Sequence, residues 1–218
     1  MKRDKVAEND IGMLIKRWGM FCISLFVMAI GVAFAIRAEL GTSPISSFPY
    51  VMNKILPFSF GQITMGMHCI LVLLQIIILK RDYKWIQIVQ IPVAILFGFL
   101  SDWTLLLLSD ISYETYWQQW ILCIIGILLV ALGVSMEISS KASTLAGEGF
   151  VLAVCQKSKI SVGNMKIIFD CSLVGLAVLF SLIFLHGLEG VREGTAASMI
   201  LVGSFVKIFN KIIGKITA

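Results

Sequence analysis

Lys166 and Asp170 stand four positions apart in an apolar stretch, a spacing that puts both on one helix face, where they can pair. A charge at the centre of a bilayer costs roughly 2.5–3.5 kcal/mol on insertion scales, so such residues are candidates for handling a ligand or a proton. Glu148 lies between Gly147 and Gly149. Small neighbours let a ligand or a facing backbone come close, and the carboxylate could bind a cation or carry a proton. A run of hydroxyls, Thr42-Ser43-Pro44-Ile45-Ser46-Ser47, suggests a helix start with Thr42 or Ser43 as N-cap and Pro44 in the first turn. Free N–H groups at such an end suit an anionic or polar ligand. Each feature has a structural counterpart: an ion pair that only holds a helix, a solvated Glu148, and a capped helix lying on the surface.

The elements that must position these residues follow from composition. Of 218 residues, 58% are hydrophobic and 14% charged, with a mean hydropathy of +0.93. A soluble domain is typically about 45–50% apolar and about 25% charged, so a water-soluble globule is excluded. The basic residues behind the net charge of +5 sit at segment ends and form no single patch, which argues against nucleic acid. The expected class is all-α, a polytopic membrane protein whose first partner is the lipid bilayer. Six segments are long enough to span: Trp18–Ile36, Ile63–Leu79, Trp85–Leu108, Trp120–Ile138, Ile167–Leu185 and Ala196–Ile213. Two more, Ser43–Leu56 and Leu145–Gln156, would rise only about 21 and 18 Å as helices, short of the ~30 Å core. They are expected to be re-entrant or half-crossing.

Charge sets the expected orientation. With both short segments returning to their side of entry, Lys80–Lys84, Lys157, Lys159 and the tail carrying Lys207, Lys211 and Lys215 share one side. The positive-inside rule makes that side cytoplasmic, with both termini inside. The charged leader before Trp18 reads as a cytoplasmic tail feeding an uncleaved helix rather than a signal peptide. Five cysteines, none in a CxxC pair, read as small hydrophobes.

Compared with itself at an offset of 102, the chain matches at nine of the 41 positions from Ala29/Ala131 to Cys69/Cys171, including Gly31/Gly133, Thr42/Thr144, Ser59/Ser161 and Gly61/Gly163. Each half then reads as span, short helix, span, span. Three crossings is an odd number, so the second half is expected to lie inverted relative to the first, a recurrent plan of secondary transporters. The expected divisions are a tail (1–17), a first repeat (18–108), an outer loop (109–119), a second repeat (120–213) and a C-terminus (214–218). The offset pairs Gln62 with Asn164, Thr64 with Lys166 and His68 with Asp170. The expected solute-binding residues are therefore Thr42, Ser43, Ser46, Gln62, Thr144, Gly147, Glu148, Gly149 and Asn164. His68, Lys166 and Asp170 are expected to handle an ion or proton. Asp102 is expected near the outer edge, capping a helix or pairing with Arg37, and Glu137 is expected at the interface.

Ala38-Glu39-Leu40-Gly41-Thr42-Ser43-Pro44-Ile45-Ser46-Ser47 after the first span, and Gly190-Val191-Arg192-Glu193-Gly194-Thr195 before the last, resemble the YczE/YyaS/YitT group of bacterial integral membrane proteins, most closely its YczE-like branch. The resemblance follows the order of elements along nearly the whole chain, although its specific motifs are short. It implies a bacterial cytoplasmic-membrane location and supplies no active-site residues.

These features favour a small secondary transporter or permease for a small polar or anionic solute, working by alternating access. An accessory, signalling or substrate-binding subunit of a larger membrane complex is the alternative, and a channel the second. No HExxH or GxSxG motif occurs, so neither an enzyme nor a cofactor or metal is expected. Six spans also suit a homodimer, although Gly126 and Gly133 could pack within one chain.

Overall fold

A computed structural model describes the backbone of residues 2–217 and the side chains of residues 12–213. The described residues form eight α-helices: α1 (Lys2–Arg37), α2 (Pro44–Ile55), α3 (Phe60–Leu79), α4 (Gln90–Leu107), α5 (Tyr116–Ser140), α6 (Ala146–Lys157), α7 (Val162–Phe180) and α8 (Glu193–Thr217). Six carry stretches long and apolar enough to cross a membrane, from Gly12–Arg37 in α1 to Glu193–Ile213 in α8. The two short helices, α2 and α6, have 12 residues each.

The centre of the bundle is the antiparallel pair α1 and α5. A methyl built on Gly31 would lie 2.7 Å from the Val130 nitrogen and 2.9 Å from the Gly126 carbonyl. One on Gly133 would lie 2.9 Å from the Ser24 carbonyl, and one on Gly126 would lie 2.9 Å from the Ala35 nitrogen. Partners on α5 therefore fall in number as those on α1 rise, and backbone meets backbone along the seam. Without a hydrophobic drive between helices in lipid, such close contact is what holds them. Gly126 and Gly133 thus pack inside one chain.

Around this pair, α4 lies on α1 and α8 on α5, while α2 packs on α7 and α6 on α3. Each short helix therefore leans on a long helix from the other half of the sequence. Element starts fall 102 positions apart at Pro44/Ala146 and Phe60/Val162. Glu39 and Lys141, also 102 apart, both take positive φ (54° and 53°). Ser59 and Ser161 both cap the helix that follows, accepting the N–H of Gln62 and Asn164.

Asp102 completes the α3 cap. Its Oδ1 accepts the Gly61 N–H at 2.7 Å and its Oδ2 the Ser59 hydroxyl at 2.5 Å. Arg37 turns instead to the Leu105 carbonyl at 2.9 Å, so capping and not pairing is the role of Asp102. Among the cysteines only Cys123 is buried, while Cys22 and Cys171 are exposed on the outside of the bundle. An apolar surroundings there is the bilayer's to supply, so sequence hydropathy does not separate core from lipid-facing sites.

Gly31→Val is expected to destabilise the chain by about 1–3 kcal/mol through overpacking. Gly175→Ala, where nothing lies within 4 Å, is expected to stay within about 1 kcal/mol of the parent. Thermal unfolding of both variants in detergent checks the contrast.

Candidate functional site

The two short helices meet start to start inside the bundle. Ile45 in the first turn of α2 sits against Gly147 in the first turn of α6, where a built methyl would lie 2.5 Å from Ile45 Cδ1. Ile45 joins Ala146, Met165 and Phe169 in one apolar cluster. From this junction the helices diverge to opposite ends of α3. At one end Lys54 pairs with Glu189 at 2.7 Å, and at the other Lys157 pairs with Asp82 at 2.5 Å.

Each helix start is satisfied differently. At α2, Ser43 is the N-cap and Pro44 follows, but the Ser43 hydroxyl donates to Ser46 Oγ at 2.9 Å rather than accepting a backbone N–H. Thr42, Ser43, Ser46 and Ser47 are all buried. At α6, the N-cap is Leu145, which has no side chain able to cap. A remote carboxylate supplies what is missing: the Leu145 N–H donates to Glu137 Oε1 at 2.8 Å.

Glu137 is only 2% exposed, which corrects its expected interfacial place. It lies on α5 eight residues before the helix start that it caps. Nothing local in the sequence marks that link, because it depends on the chain turning back after Lys141. Beside it, Gln75 is fully buried and donates Nε2 to Gln90 Oε1 at 2.9 Å and to the Ala146 carbonyl at 3.1 Å. Gln75 within α3 and Gln90 at the start of α4 are amides in apolar stretches, a signal in the sequence that the 102 offset does not pick out. Gly149 lets this amide pair approach, since a methyl there would lie 2.6 Å from Gln90 Nε2 and 2.8 Å from Gln75 Oε1.

Lys166 and Asp170 are paired at 3.0 Å, with 38% and 17% of their side chains accessible. The pair lies at the edge of the junction, and Lys166 feels the charges of Glu148, Asp170 and Glu137. Glu148 itself is partly buried, with Oε2 unpartnered. Together these residues form a polar cluster on the α6 side; at the start of α2 the buried polar side chains are the hydroxyls of Thr42, Ser43, Ser46 and Ser47.

Not every candidate reaches the junction. Gln62 and Asn164 are exposed at the starts of α3 and α7, where their N–H groups meet the capping serines. His68 is buried, but its ring stacks on Phe97 with centroids 6.0 Å apart. Among the described residues, no ion pair or hydrogen bond joins it to the Lys166–Asp170 pair. Thr64, the partner of Lys166 at the 102 offset, bonds back to the Phe60 carbonyl.

Two cavities open at opposite ends of the bundle. One of about 260 Å³ lies at the Glu189 end, against Ile36, Glu39, Gly41 and Thr42. One of about 370 Å³ lies at the Lys157 end, against Ile138, Lys141, Ser143 and Thr144. Each named residue of the first is 102 positions from one of the second. At the first cavity the Thr42 N–H donates to the Gly190 carbonyl, Arg192 Nη1 to the Glu39 carbonyl and the Tyr113 hydroxyl to the Glu39 carboxylate. That carboxylate holds the Tyr113 hydroxyl above its ordinary pKa. The second cavity reaches inward to Glu137 and Gln90.

Fold and site together define a polytopic helical membrane protein whose two short helices begin at a common buried junction. The chain belongs to the family of unknown function DUF6198, whose model matches residues 15–211. It is 22% identical over 192 residues to the uncharacterized protein YyaS of Bacillus subtilis (strain 168), covering 88% of this chain and 90% of that protein. It is 28% identical over 96 residues to the uncharacterized membrane protein YczE of the same organism, covering 44% and 42%. No solved structure matches it.

Glu137→Leu leaves the Leu145 N–H buried without an acceptor, and is expected to destabilise the chain by about 1–3 kcal/mol. Glu137→Gln keeps a carbonyl acceptor there and is expected to lose about 1 kcal/mol or less. Thermal unfolding in detergent compares the two.

Proposed function

We propose that the chain is a small secondary carrier of the bacterial cytoplasmic membrane, moving a small polar solute by alternating access to the α2–α6 junction. The observation that carries this reading is the meeting of the two short helices at Ile45 and Gly147, with a cavity toward each end of the bundle. Broken helices that meet between inverted halves are where secondary transporters hold their solute.

The halves are read as an inverted repeat. Antiparallel α1 and α5, element starts 102 positions apart and crosswise packing of α2 on α7 and α6 on α3 all support a two-fold axis in the membrane plane. On the positive-inside rule, the Lys157 end and both termini face the cytoplasm, and the Glu189 end faces outward. Rocking about the α1–α5 seam would open one cavity as the other closes. An anionic solute has less support than a neutral or cationic one, because the positive end of α6 already faces Glu137 and Glu148.

Two measurements test this reading. In a cysteine-free background, Glu39→Cys is expected to react with a membrane-impermeant thiol reagent from outside whole cells. Lys141→Cys is expected to react only after the cytoplasmic face is opened. Reaction of both from one face would remove the inverted halves, and alternating access with them. Proteoliposomes are then screened by counterflow of small solutes. Saturable exchange is the expected outcome; unsaturated flux would make the protein a channel, and no flux together with a stoichiometric co-purified partner would make it an accessory subunit.

A further inference from the structure

The polar atoms around the start of α6 do not balance. Glu137 accepts the Leu145 N–H with Oε1 and leaves Oε2 buried with no partner. Gln75 donates twice through Nε2 and leaves Oε1 buried with no partner. Glu148 likewise keeps a buried, unpartnered Oε2. All three atoms are acceptors, and the amine within electrostatic reach, Lys166, is already held by Asp170. Buried acceptors require donors, and a buried carboxylate takes either a positive charge or a proton.

Space is available next to Glu137. The 370 Å³ cavity is lined by Glu137 and by Gln90, the hydrogen-bond partner of Gln75. We propose that the floor of this cavity, beside Glu137, is a binding site for a monovalent cation, brought either as an alkali ion or as the ammonium group of a solute. Glu137 Oε2 is its main ligand, with the Gln75–Gln90 pair and Glu148 as neighbouring acceptors. Among the described residues no three His, Cys, Asp or Glu side chains converge as a metal-ligand set. That suits a single charge held by one carboxylate and amide oxygens more than a multiply charged ion demanding several carboxylates. The proposal deepens the carrier reading by giving the charge of what enters from the Lys157 end. Binding can nevertheless be measured without transport.

The test uses the full chain purified in detergent, with thermal unfolding followed at constant ionic strength in chloride salts of Na⁺, K⁺, ammonium, methylammonium and N-methyl-D-glucamine. At least one small cation is expected to raise the midpoint saturably, with N-methyl-D-glucamine inert. Glu137→Gln is expected to weaken that cation at least tenfold, and the surface variant Asp110→Asn to leave it unchanged. Should Glu137→Gln not fold, Gly149→Ala, which crowds Gln75 and Gln90, is expected to weaken it likewise. Alkali ions acting alone would place a coupling ion in the site, and ammonium compounds acting alone would place the solute's own charge there. The proposal falls if no cation acts saturably, if Glu137→Gln binds as the parent does, or if the parent ignores every cation while Glu137→Gln is more stable than it. The last result would make the missing donor a proton on Glu137. Saturable binding without counterflow would keep the site and discard the carrier.

Discussion

A helix that stops inside an apolar bundle exposes up to four N–H groups with no partner in the helix itself. No water is at hand in the hydrocarbon region to take them. Both short helices here begin in the interior, so the surroundings of residues 43–47 and 145–149 must supply acceptors or receive a ligand. The α2 start is lined with serine hydroxyls. The α6 start has no local cap, and Glu137 reaches it from α5. Much of the rest of the bundle serves to bring these two starts together.

That placement depends on the α1–α5 seam. Gly31, Gly126 and Gly133 allow the two backbones to touch, and the turn after each of these helices re-enters with a left-handed residue, Glu39 or Lys141. The chain then passes to a short helix supported by the opposite half. Closely packed backbones make a stiff central pair, whereas α2 and α6 rest on α7 and α3 by side-chain contacts such as Phe48 on Phe180.

The charge distribution gives the junction a direction. At the 102 offset, Glu137 corresponds to Ala35, Glu148 to Ser46, and Gln90 to Arg192. The buried polar side chains at the two helix starts therefore differ: acidic and amide groups near the start of α6, hydroxyls near the start of α2. The two cavities are therefore lined by different partners. Membership of a family of unknown function and similarity to two uncharacterised proteins add a membrane setting and no substrate.

Local composition by itself determined the class of this protein, its six long helices and its two short ones. Apolar runs of about 20 residues can satisfy their backbone in lipid only as helices, and 12-residue runs cannot cross. The hydroxyl run at 42–47, the Gly-Glu-Gly at 147–149 and the Lys166–Asp170 spacing are also local signals, and all lie at or beside the junction. What only the tertiary structure decided was which polar residues are structural and which face the interior. Gln62 and Asn164 match at the offset because both start helices, while Asp102 caps across 41 residues to Gly61. Glu137 reads as interfacial because it sits near the end of a long helix, and it is buried because the chain folds back so that the start of α6 lies against it. Periodicity and hydropathy report what surrounds a residue along its own helix. The partner of a buried acceptor comes from another one, and only the packed bundle shows it.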